Sequence, residues 1–389
     1  DGTVLSLAEV DPSLGTMVLV GPAPPVGKLR ITIDAADEDG VGARTETAQA
    51  WVGGRDLRDE VIYQIMIDRF RGDGGATLRA PATPGSRAGG TLDGIRSAVL
   101  DGSLEALGAT TIWTSPVYLN PDAPQPGNLD GRMYEGYHGY WPLDTRRVDP
   151  RLGGDTAYRQ LIDDAHGRGL KVILDVVPNH VFNGHPRYRD HRDTDWFTAP
   201  GCVCGNPECP WGPNIQTCWF TPYLPDVRWQ NLASAEASID DTAFWMEAFD
   251  LDGVRVDAVP MMPRSANAGS LMSSARPRSA NRRIAKRLRD VIHPSEQTLL
   301  LGEVFTGPGD LGSLFYQLGP SGLDSVFDFP LMWALQAAIG QGTGDFEPVE
   351  AILREEEQVL EGSGSIMARI LDNHDTVRFI SVAAGDGFG

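Results

Sequence analysis

The sequence predicts an α/β protein whose main domain is a (β/α)8 barrel, and three observations lead to this fold. Apolar, β-branched runs of strand length recur along the chain, most of them are separated by segments with helical spacing, and one connection is far longer than an ordinary loop. Near-continuous apolar strands that alternate with helices indicate a parallel sheet covered on both faces. A closed eight-stranded barrel fits this pattern better than an open doubly wound sheet, provided that the eighth strand lies beyond Gly389.

Seven predicted strands follow one another from residue 61 onward. They are VIYQIMI (61–67), TTIWTSPV (110–117), KVILDVV (171–177), GVRVDAV (253–259), TLLLGEV (298–304), SVFDFPL (325–331) and SIMARIL (365–371). Helical spacing is found between most of them, for example in AYRQLIDDAHGRG and ASIDDTAFWMEAF. Because only seven of the eight strands are visible, we take the 389 residues to be an incomplete chain.

The regions before and within the barrel have a different character. Short alternating runs such as KLRITIDAA and TAQAWVGG, separated by Pro/Gly turns, predict part of a small β-sandwich over 1–55. The catalytic barrel then covers 56–389, and about 55 residues after its third strand predict an inserted subdomain at 178–233. The Arg- and Ser/Ala-rich stretch 263–283 is predicted to be a surface loop that leads into a helix with a basic face.

Four cysteines lie within the inserted segment CVCGNPECPWGPNIQTC, at positions 202, 204, 209 and 218. The C-x-C spacing and the lack of a second C-x-x-C match a zinc site poorly. Two disulfides are the preferred interpretation, and they indicate an oxidising, extracellular setting. Three connectivities stay open, although a Cys202–Cys204 bond is the least favoured because the two residues are so close along the chain.

The charge of the chain limits its partners. A formal net charge of −20 argues against nucleic acid and against an anionic membrane surface, because both need a basic patch. The chain has no run of 18 apolar residues and starts at Asp1 without a signal-like segment, so we expect a soluble, mature product. We also expect a monomer.

Charged residues lie at the C-terminal ends of several predicted strands, where (β/α)8 barrels carry their catalytic groups. Arg255 and Asp257 are two residues apart in GVRVDAV and therefore lie side by side on one face of the strand. A buried ion pair rarely repays its desolvation, so the pair is either structural, at a strand end, or part of an active site. Glu303 ends the fifth strand and Asp375 follows the seventh. The other polar residues at these ends are Asp175, Asn179, His180 and His374.

Two carboxyl groups across a cleft suit glycoside hydrolysis, in which one acts as nucleophile or base and the other as acid. Asp257 suits the first role, because Arg255 beside it would favour the ionised carboxylate. Glu303 suits the second role, because desolvation at the end of the apolar run TLLLGEV would keep its carboxyl group protonated.

The chain resembles the α-amylase family of glycoside hydrolases, including its neopullulanase-like members. The four signature segments of that family occur in order as DVVPNH (175–180), GVRVDAV (253–259), GEVF (302–305) and NHD (373–375). Auxiliary segments are matched by IYQIMIDRF, TSPVY and YHGYW, so that the likeness covers roughly residues 57–380. The resemblance implies that Asp257 is the nucleophile, Glu303 the general acid/base and Asp375 a third carboxylate that grips sugar hydroxyls and distorts the ring.

The same resemblance implies a set of substrate-binding residues. Arg255 would orient the nucleophile, with Asp175 supporting it rather than taking part in the chemistry. His180 and His374 would donate hydrogen bonds to the sugar at the cleavage point, and Tyr140 of YHGYW would be the platform on which that sugar stacks. The alternatives are that His180 is an ordinary loop histidine and that Tyr140 is a core aromatic.

A calcium ion is also implied, held by hard oxygen ligands between the loop after the third strand and the inserted subdomain. By resemblance Asn179 is one ligand, Asp226 of YLPDVRWQN is another, and Met261 contributes a backbone carbonyl. Some relatives bind a second calcium near the segment that corresponds to GGTLDG (89–94). That segment has Thr91 in place of an aspartate here, so we expect the second site to be absent or altered.

These features together predict a secreted, calcium-dependent, retaining hydrolase of α-1,4-glucosidic bonds in starch-like α-glucans, acting through a covalent glycosyl-enzyme intermediate. Many α-amylases have Lys-His after the fourth strand, on the leaving-group side, where this chain has Pro260 and Met261. This departure leaves open a cyclomaltodextrinase or neopullulanase, and a transglycosylase or disaccharide isomerase of the trehalose synthase type. A non-catalytic, amylase-like binding domain is a remote alternative, since all three carboxylates are present.

Overall fold

The computed structural model describes residues 6–11, 13–14, 16–22, 27–33, 36, 39–40, 42, 46–127, 131–262, 298–319 and 322–385. The stretch 263–283, predicted to be a surface loop and the start of a basic helix, lies outside the described residues.

Two antiparallel hairpins form the N-terminal region. Strand β1 (Ser6–Asp11) pairs with β2 (Thr16–Val20), and β3 (Gly27–Ile33) pairs with β4 (Glu46–Val52). The hairpins are two separate two-stranded sheets, so the β-sandwich over 1–55 stays a prediction.

A parallel sheet of seven strands follows the hairpins. The later strands are, in chain order, β5 (Ile62–Ile65), β6 (Thr111–Thr114), β7 (Tyr118–Leu119), β8 (Gln125–Pro126), β9 (Met133–Tyr134), β10 (Asp144–Val148), β11 (Lys171–Val176), β12 (Gly253–Val256), β13 (Leu299–Gly302), β14 (Ser325–Phe327) and β15 (Ile366–Ala368). The sheet order is β5-β6-β11-β12-β13-β14-β15, with every neighbouring pair parallel. Each of the seven predicted strands is therefore confirmed in its predicted order, and the eighth strand stays a prediction.

Helices connect most of the parallel strands. They are α1 (Leu92–Leu100), α2 (Ser103–Ala106), α3 (Gly154–Gly167), α4 (Pro186–His191), α5 (Trp211–Asn214), α6 (Leu232–Phe249), α7 (Leu311–Gln317), α8 (Phe329–Leu335), α9 (Glu347–Leu360) and α10 (Phe379–Ala383). Short 3-10 turns cover Leu57–Asp59, Ile67–Arg69, Asp73–Gly75, Pro150–Leu152 and Val259–Met261, and a π-helical turn covers Gln336–Gly340. None of the helices in the described part of the chain is long and apolar enough to cross a membrane.

Alternation along the strands separates the inner face of the seven-stranded sheet from the face that packs against the helices. Val172 and Leu174 of β11 belong to the large core that also contains the buried faces of α1 and α3, whereas Ile173 belongs to a smaller cluster with Trp113 and Leu301. The next position of β11 on the side of Ile173 is Asp175. The interior is thus apolar in the lower layers and charged at the C-terminal ends of the strands.

A glycine allows β12 to enter the sheet between its neighbours. Gly253 has φ of 151°, and a Cβ atom at this position would lie 2.1 Å from the carbonyl oxygen of Leu299 on β13. Only glycine tolerates both the backbone conformation and this close approach. The position of Arg255, two residues later, depends on this packing.

The inserted segment is held together by two disulfides, as predicted. Cys202 pairs with Cys209 and Cys204 with Cys218, which selects one of the three possible connectivities. Backbone hydrogen bonds then connect the end of the inserted subdomain to the loop that follows β11. The N–H of Val227 donates to the carbonyl of Asn179 at 2.8 Å, and that of Val181 donates to Pro225 at 3.2 Å.

A buried ionic cluster joins the β3–β4 hairpin to the barrel. Lys28 Nζ lies 2.5 Å and Trp51 Nε1 2.6 Å from Oδ1 of Asp252, the residue that precedes β12. His166 Nε2 and the N–H of Val172 each lie 2.8 Å from the other carboxylate oxygen. Although burial opposes ionisation, His166 and Lys28 hold the pKa of Asp252 well below its usual range.

We expect Asp252→Asn to lower the free energy of unfolding by about 3 kcal/mol, because it removes the nearer counter-charge of the buried Lys28 ammonium, at 2.5 Å, and leaves only Asp250 at 3.8 Å. Urea unfolding followed by circular dichroism measures this loss. Asp56→Asn is the matched control, because it breaks an ion pair with Arg58 that is exposed to solvent and should change nothing measurable. Equal midpoints for the two variants would contradict the prediction.

Candidate active site

Charged side chains meet at the C-terminal end of the barrel because adjacent strands are in register there. Asp175 of β11 is paired directly with Arg255 of β12. Asp257 and Glu303 each extend their strand by one residue. The N–H of Asp257 donates to the last carbonyl of β11 at 3.0 Å, and that of Glu303 donates to the last carbonyl of β12 at 2.9 Å. The strand pairing thus places the two carboxyl groups next to each other.

Arg255 is shared by three carboxyl groups. Its side chain is fully buried, and Nη1 lies 2.8 Å from Oδ1 of Asp175 and 2.8 Å from Oδ1 of Asp257. Nη2 lies 3.3 Å from Oε2 of Glu303. The predicted contact between Arg255 and Asp257 is therefore confirmed, and Asp175 contacts Arg255 as expected. One guanidinium cannot neutralise three carboxylates, so the arrangement favours a protonated carboxyl group in the cluster.

Glu303 is the carboxyl group with the strongest reason to keep its proton. Burial raises the pKa of Glu303 to about 8, and the negative charges of Asp257 and Asp375 act in the same direction against Arg255. A carboxyl group with this pKa is protonated at neutral pH, as a general acid requires.

Ala258, which sequence reasoning did not identify, positions Glu303. Its φ is 53°, the left-handed region, and its N–H donates to Oε2 of Glu303 at 2.8 Å. This conformation costs an alanine about 1 kcal/mol or more. The sequence carried no signal for it, because alanine is not a residue typical of such turns.

Tyr140 and His374 form a hydrogen-bonded chain that ends on Asp175. Gln64 Nε2 lies 2.5 Å from Nδ1 of His374, and His374 Nε2 lies 2.8 Å from the hydroxyl of Tyr140. Tyr140 in turn donates to Oδ2 of Asp175 at 2.7 Å. Because the Gln64 amide donates to Nδ1, the network assigns the proton of a neutral His374 to Nε2. Burial lowers the pKa of His374, which agrees with the neutral ring.

His180 lies beside the same tyrosine. Its Nε2 is 3.0 Å from the backbone carbonyl of Tyr140, so this nitrogen is the donor. Burial lowers the pKa of His180, and Nδ1 is buried without a hydrogen-bond partner among the described residues. A neutral ring in this state presents Nδ1 as an acceptor. A hydrogen bond at this atom would therefore run from the sugar to the histidine, opposite to the predicted direction.

The three predicted catalytic carboxylates differ in their exposure. The side chains of Asp257 and Glu303 are 13% and 11% exposed, whereas that of Asp375 is 46% exposed and lies 3.2 Å from His374 Nε2. The carboxyl groups of Asp257 and Glu303 are thus largely shielded from water, as a reaction in a water-excluded site requires. The third lies more open, where it can contact sugar hydroxyls.

Two further residues, which sequence reasoning did not identify, support Asp175 and His374. Trp113 Nε1 donates to Oδ2 of Asp175 at 3.1 Å, and Gln64 holds His374 as described above. Gln64 is a polar residue within the apolar run VIYQIMI, the same signal that drew attention to Arg255.

The side chains of the three residues predicted to bind calcium lie near one another, and the Oδ1 of Asn179 accepts a hydrogen bond from Trp229 Nε1 at 3.3 Å. Asn179 Nδ2 lies 2.5 Å from Oδ1 of Asp226 and 4.0 Å from Sδ of Met261, and all three residues are buried. Asp226 Oδ2 is buried without a hydrogen-bond partner among the described residues, and burial raises the pKa of this aspartate. Within the described ranges no group of three or more His, Cys, Asp or Glu could hold a metal. A cation would therefore depend on one carboxylate together with amide and carbonyl oxygens, a donor set that fits Ca²⁺.

Thr91, in the segment expected to lack a second calcium site, has another role. Its hydroxyl accepts from the N–H of Gly94 at 3.1 Å, which caps α1, and donates to Asp73 Oδ1 at 2.7 Å. The absence or alteration of that second site stays a prediction.

The chain is similar to known proteins over most of its length. A family model described as "Alpha amylase, catalytic domain" matches residues 64–388. Alpha-amylase 1 of Schizosaccharomyces pombe is 26% identical over 346 residues, which cover 84% of this chain and 48% of that protein. A cyclomaltodextrin glucanotransferase of Bacillus sp. strain 1-1 is 25% identical over 349 residues, covering 82% and 45%. The chain thus spans about half the length of these curated relatives.

Solved structures show the same likeness. The α-amylase from Geobacillus thermoleovorans, crystallised with acarbose, has a TM-score of 0.67 and 28% identity, over 85% of this chain and 65% of that one. The cyclic α-maltosyl-(1→6)-maltose hydrolase from Arthrobacter globiformis has a TM-score of 0.61 over 85% and 69%. At 22% identity this second likeness concerns the fold alone.

Proposed function

This chain belongs to the α-amylase family of glycoside hydrolases, and from that membership we propose that it is a retaining hydrolase of α-1,4-glucosidic bonds in starch-like α-glucans. The observation that carries the proposal is the buried guanidinium of Arg255, which contacts Asp257 through one nitrogen and Glu303 through the other. A retaining mechanism needs two carboxyl groups only about 5–5.5 Å apart, and groups that share one guanidinium suit this separation.

In the proposed first step, a carboxylate oxygen of Asp257 attacks the anomeric carbon while Glu303 gives its proton to the glycosidic oxygen. The bond to the leaving sugar breaks as the ester to Asp257 forms. Arg255 orients Asp257 through the 2.8 Å contact. In the second step, water attacks the same carbon and gives a proton to Glu303, the ester bond to Asp257 breaks, and the sugar leaves with its α-configuration.

The remaining predicted residues would hold the sugar at the cleavage point. We propose that Tyr140 supplies the stacking face, that Asp375 accepts hydrogen bonds from sugar hydroxyls, and that His180 accepts one at Nδ1. His374 already uses both ring nitrogens within the protein, so its role in binding a sugar requires that the contact with Tyr140 or Asp375 gives way.

The configuration and size of the products test this function. We expect soluble starch to yield maltooligosaccharides whose anomeric signals in early ¹H NMR spectra are α. Products that begin as β anomers would contradict the retaining mechanism. Pullulan, β-cyclodextrin and maltose are the comparison substrates, and activity confined to maltose or cyclodextrin would favour the isomerase or cyclomaltodextrinase alternatives. We further propose a secreted monomer, for which the two disulfides are the support regarding secretion.

We also propose that Asn179, Asp226 and the carbonyl of Met261 bind Ca²⁺, which would supply the counter-charge that the buried Asp226 lacks. EDTA is then expected to lower the free energy of unfolding by about 2.7 kcal/mol if the ion is present at 100 times its Kd. Asp226→Asn should remove this effect of EDTA. Asp241→Asn, which changes another buried aspartate paired with Arg146 and Arg187, should keep it. An equal response of both variants to EDTA would contradict the site.

A further inference from the structure

The turn 258–261, which follows the strand β12, contacts Glu303 at two points. The N–H of Ala258 donates to Oε2 of the carboxyl group at 2.8 Å, and the N–H of Val259 donates to the backbone carbonyl of Glu303 at 3.1 Å. The turn is closed by the N–H of Met261, which donates to the carbonyl of Ala258 at 3.0 Å. The backbone and the side chain of Glu303 are therefore both held by one turn.

The hydrogen bond from the turn determines which carboxyl oxygen carries the proton. Oε2 of Glu303 accepts from Ala258 and also lies 3.3 Å from Nη2 of Arg255. In a neutral carboxyl group the hydroxyl oxygen donates, whereas the carbonyl oxygen accepts. Oε2, which faces an N–H donor and a cation, is therefore the carbonyl oxygen, and the proton belongs to Oε1. Oε1 is thus the atom that can give a proton to the glycosidic oxygen.

The turn has a backbone conformation that alanine does not favour. Ala258 has a φ of 53°, in the left-handed region, which costs a residue with a Cβ atom about 1 kcal/mol or more. Glycine adopts this conformation without that cost. Contacts around the turn must therefore offset the cost at Ala258.

A cluster of buried cysteines packs against the turn. Cys204, Cys209 and Cys218 form one cluster with Ala258 and Met261, and each of the five residues is at most 6% exposed. The bond between Cys204 and Cys218 joins positions 14 residues apart in the chain. The cysteines belong to the inserted subdomain and the turn belongs to the barrel, so this packing connects the subdomain to the residues that hold Glu303.

We propose that the Cys204–Cys218 disulfide and Met261 position the general acid, because they hold Ala258 in the conformation that places the proton of Glu303 on Oε1. In the first step the Oε1–H bond breaks and the proton joins the glycosidic oxygen, which keeps the electron pair of its bond to the anomeric carbon. Without this packing the turn relaxes and the N–H of Ala258 leaves Oε2. The proposal rests on the proposed role of Glu303 as the general acid.

The pH dependence of the reaction reports the hydrogen bond from Ala258. The charged groups that face Glu303 are Arg255, which favours the carboxylate, and Asp257 and Asp375, which oppose it, whereas the members of the cysteine cluster are uncharged. Burial raises the pKa of Glu303 to about 8, and the N–H of Ala258 acts in the opposite direction because it stabilises the ionised carboxylate. Loss of this hydrogen bond should therefore raise that pKa further.

Replacing the disulfide and then relaxing the turn tests the proposal. Cys204→Ala/Cys218→Ala removes the disulfide and leaves no polar group in the cluster. We expect the alkaline fall of kcat/KM on soluble starch, measured with calcium in excess, to move up by about 0.5–1 pH unit, the value of one hydrogen bond. Adding Ala258→Gly should return the fall to its wild-type pH, because glycine keeps the left-handed turn without the disulfide. A general loss of stability would not be reversed in this way.

Met261→Ala is a second variant, which keeps both disulfides and the backbone carbonyl proposed to bind calcium. It should move the alkaline fall in the same direction, and Ala258→Gly should again reverse the change. Ile352→Ala, on α9, is the matched control, because it removes a buried side chain from a separate cluster with Leu311 and Leu331. This control should lower the unfolding temperature and keep the wild-type pH profile.

The outcomes separate the positioning role from the role of Glu303 itself. A wild-type pH profile in each folded variant of the disulfide and of Met261 would overturn the positioning role and leave Glu303 as the acid. A shift that Ala258→Gly does not reverse would also overturn it. An alkaline fall that persists in Glu303→Gln would instead overturn the role of Glu303, and the proposal with it.

Discussion

Replacing Asp257 with asparagine is expected to lower kcat on α-glucans on the order of 10⁴-fold or more, because an amide oxygen cannot form the glycosyl ester. The fold should survive, since the asparagine side chain has the same shape and its carbonyl oxygen can still accept from Arg255 Nη1, which lies 2.8 Å from Asp257 Oδ1. Steady-state rates on soluble starch, with thermal unfolding of both proteins, measure the two effects. Near-normal turnover by a fully folded variant would refute the assignment.

A second variant distinguishes a lost nucleophile from a distorted site. Asp257→Ala leaves space beside Arg255 in which azide can act as an external nucleophile on α-maltosyl fluoride. Because azide attacks once and no second displacement follows, the product should be the β-configured glycosyl azide. An α-configured azide, or no rescue at any azide concentration, would indicate that another group attacks the sugar.

The part of the site that could be predicted from the sequence depends on short-range geometry. Alternation along a strand places Arg255 and Asp257 on one face whatever the rest of the fold does, and the contact is present. The seven strands were also recognisable, because buried parallel strands are apolar along their whole length. A polar residue inside such a run, such as Gln64, marks an inward-facing position near the site by the same logic.

The features that could not be predicted depend on packing between distant segments. The disulfide connectivity and the Lys28–Asp252 pair, 224 residues apart in the chain, follow from how the elements dock and not from any local pattern. Ala258 is a third case. Its left-handed backbone conformation accompanies a hydrogen bond from its N–H to the Glu303 carboxyl group and packing against the cysteine cluster.

Glu303→Gln is expected to lower kcat on starch about 10²–10⁴-fold, because glutamine cannot give a proton to the leaving oxygen. The loss should be smaller for α-maltosyl fluoride, whose leaving group needs little protonation, so the first step outruns the second and fluoride appears as a burst. Stopped-flow fluoride measurements against steady-state rates on starch show this difference. Equal losses on the two donors would contradict a general acid at Glu303.

The pH dependence identifies the same residue independently. Glu303 must be protonated to act, and its pKa of about 8 means that kcat/KM of the unaltered protein on starch should fall as the pH rises through 8. This alkaline limb should be absent in Glu303→Gln. Glu356, on α9, provides the matched control, because burial raises its pKa to about 7 while its partners are Asp328 and Arg369 rather than the active site. Glu356→Gln should therefore keep the alkaline limb at its wild-type position. A shift of the limb in Glu356→Gln would show that Glu356 contributes to it and would contradict the assignment to Glu303.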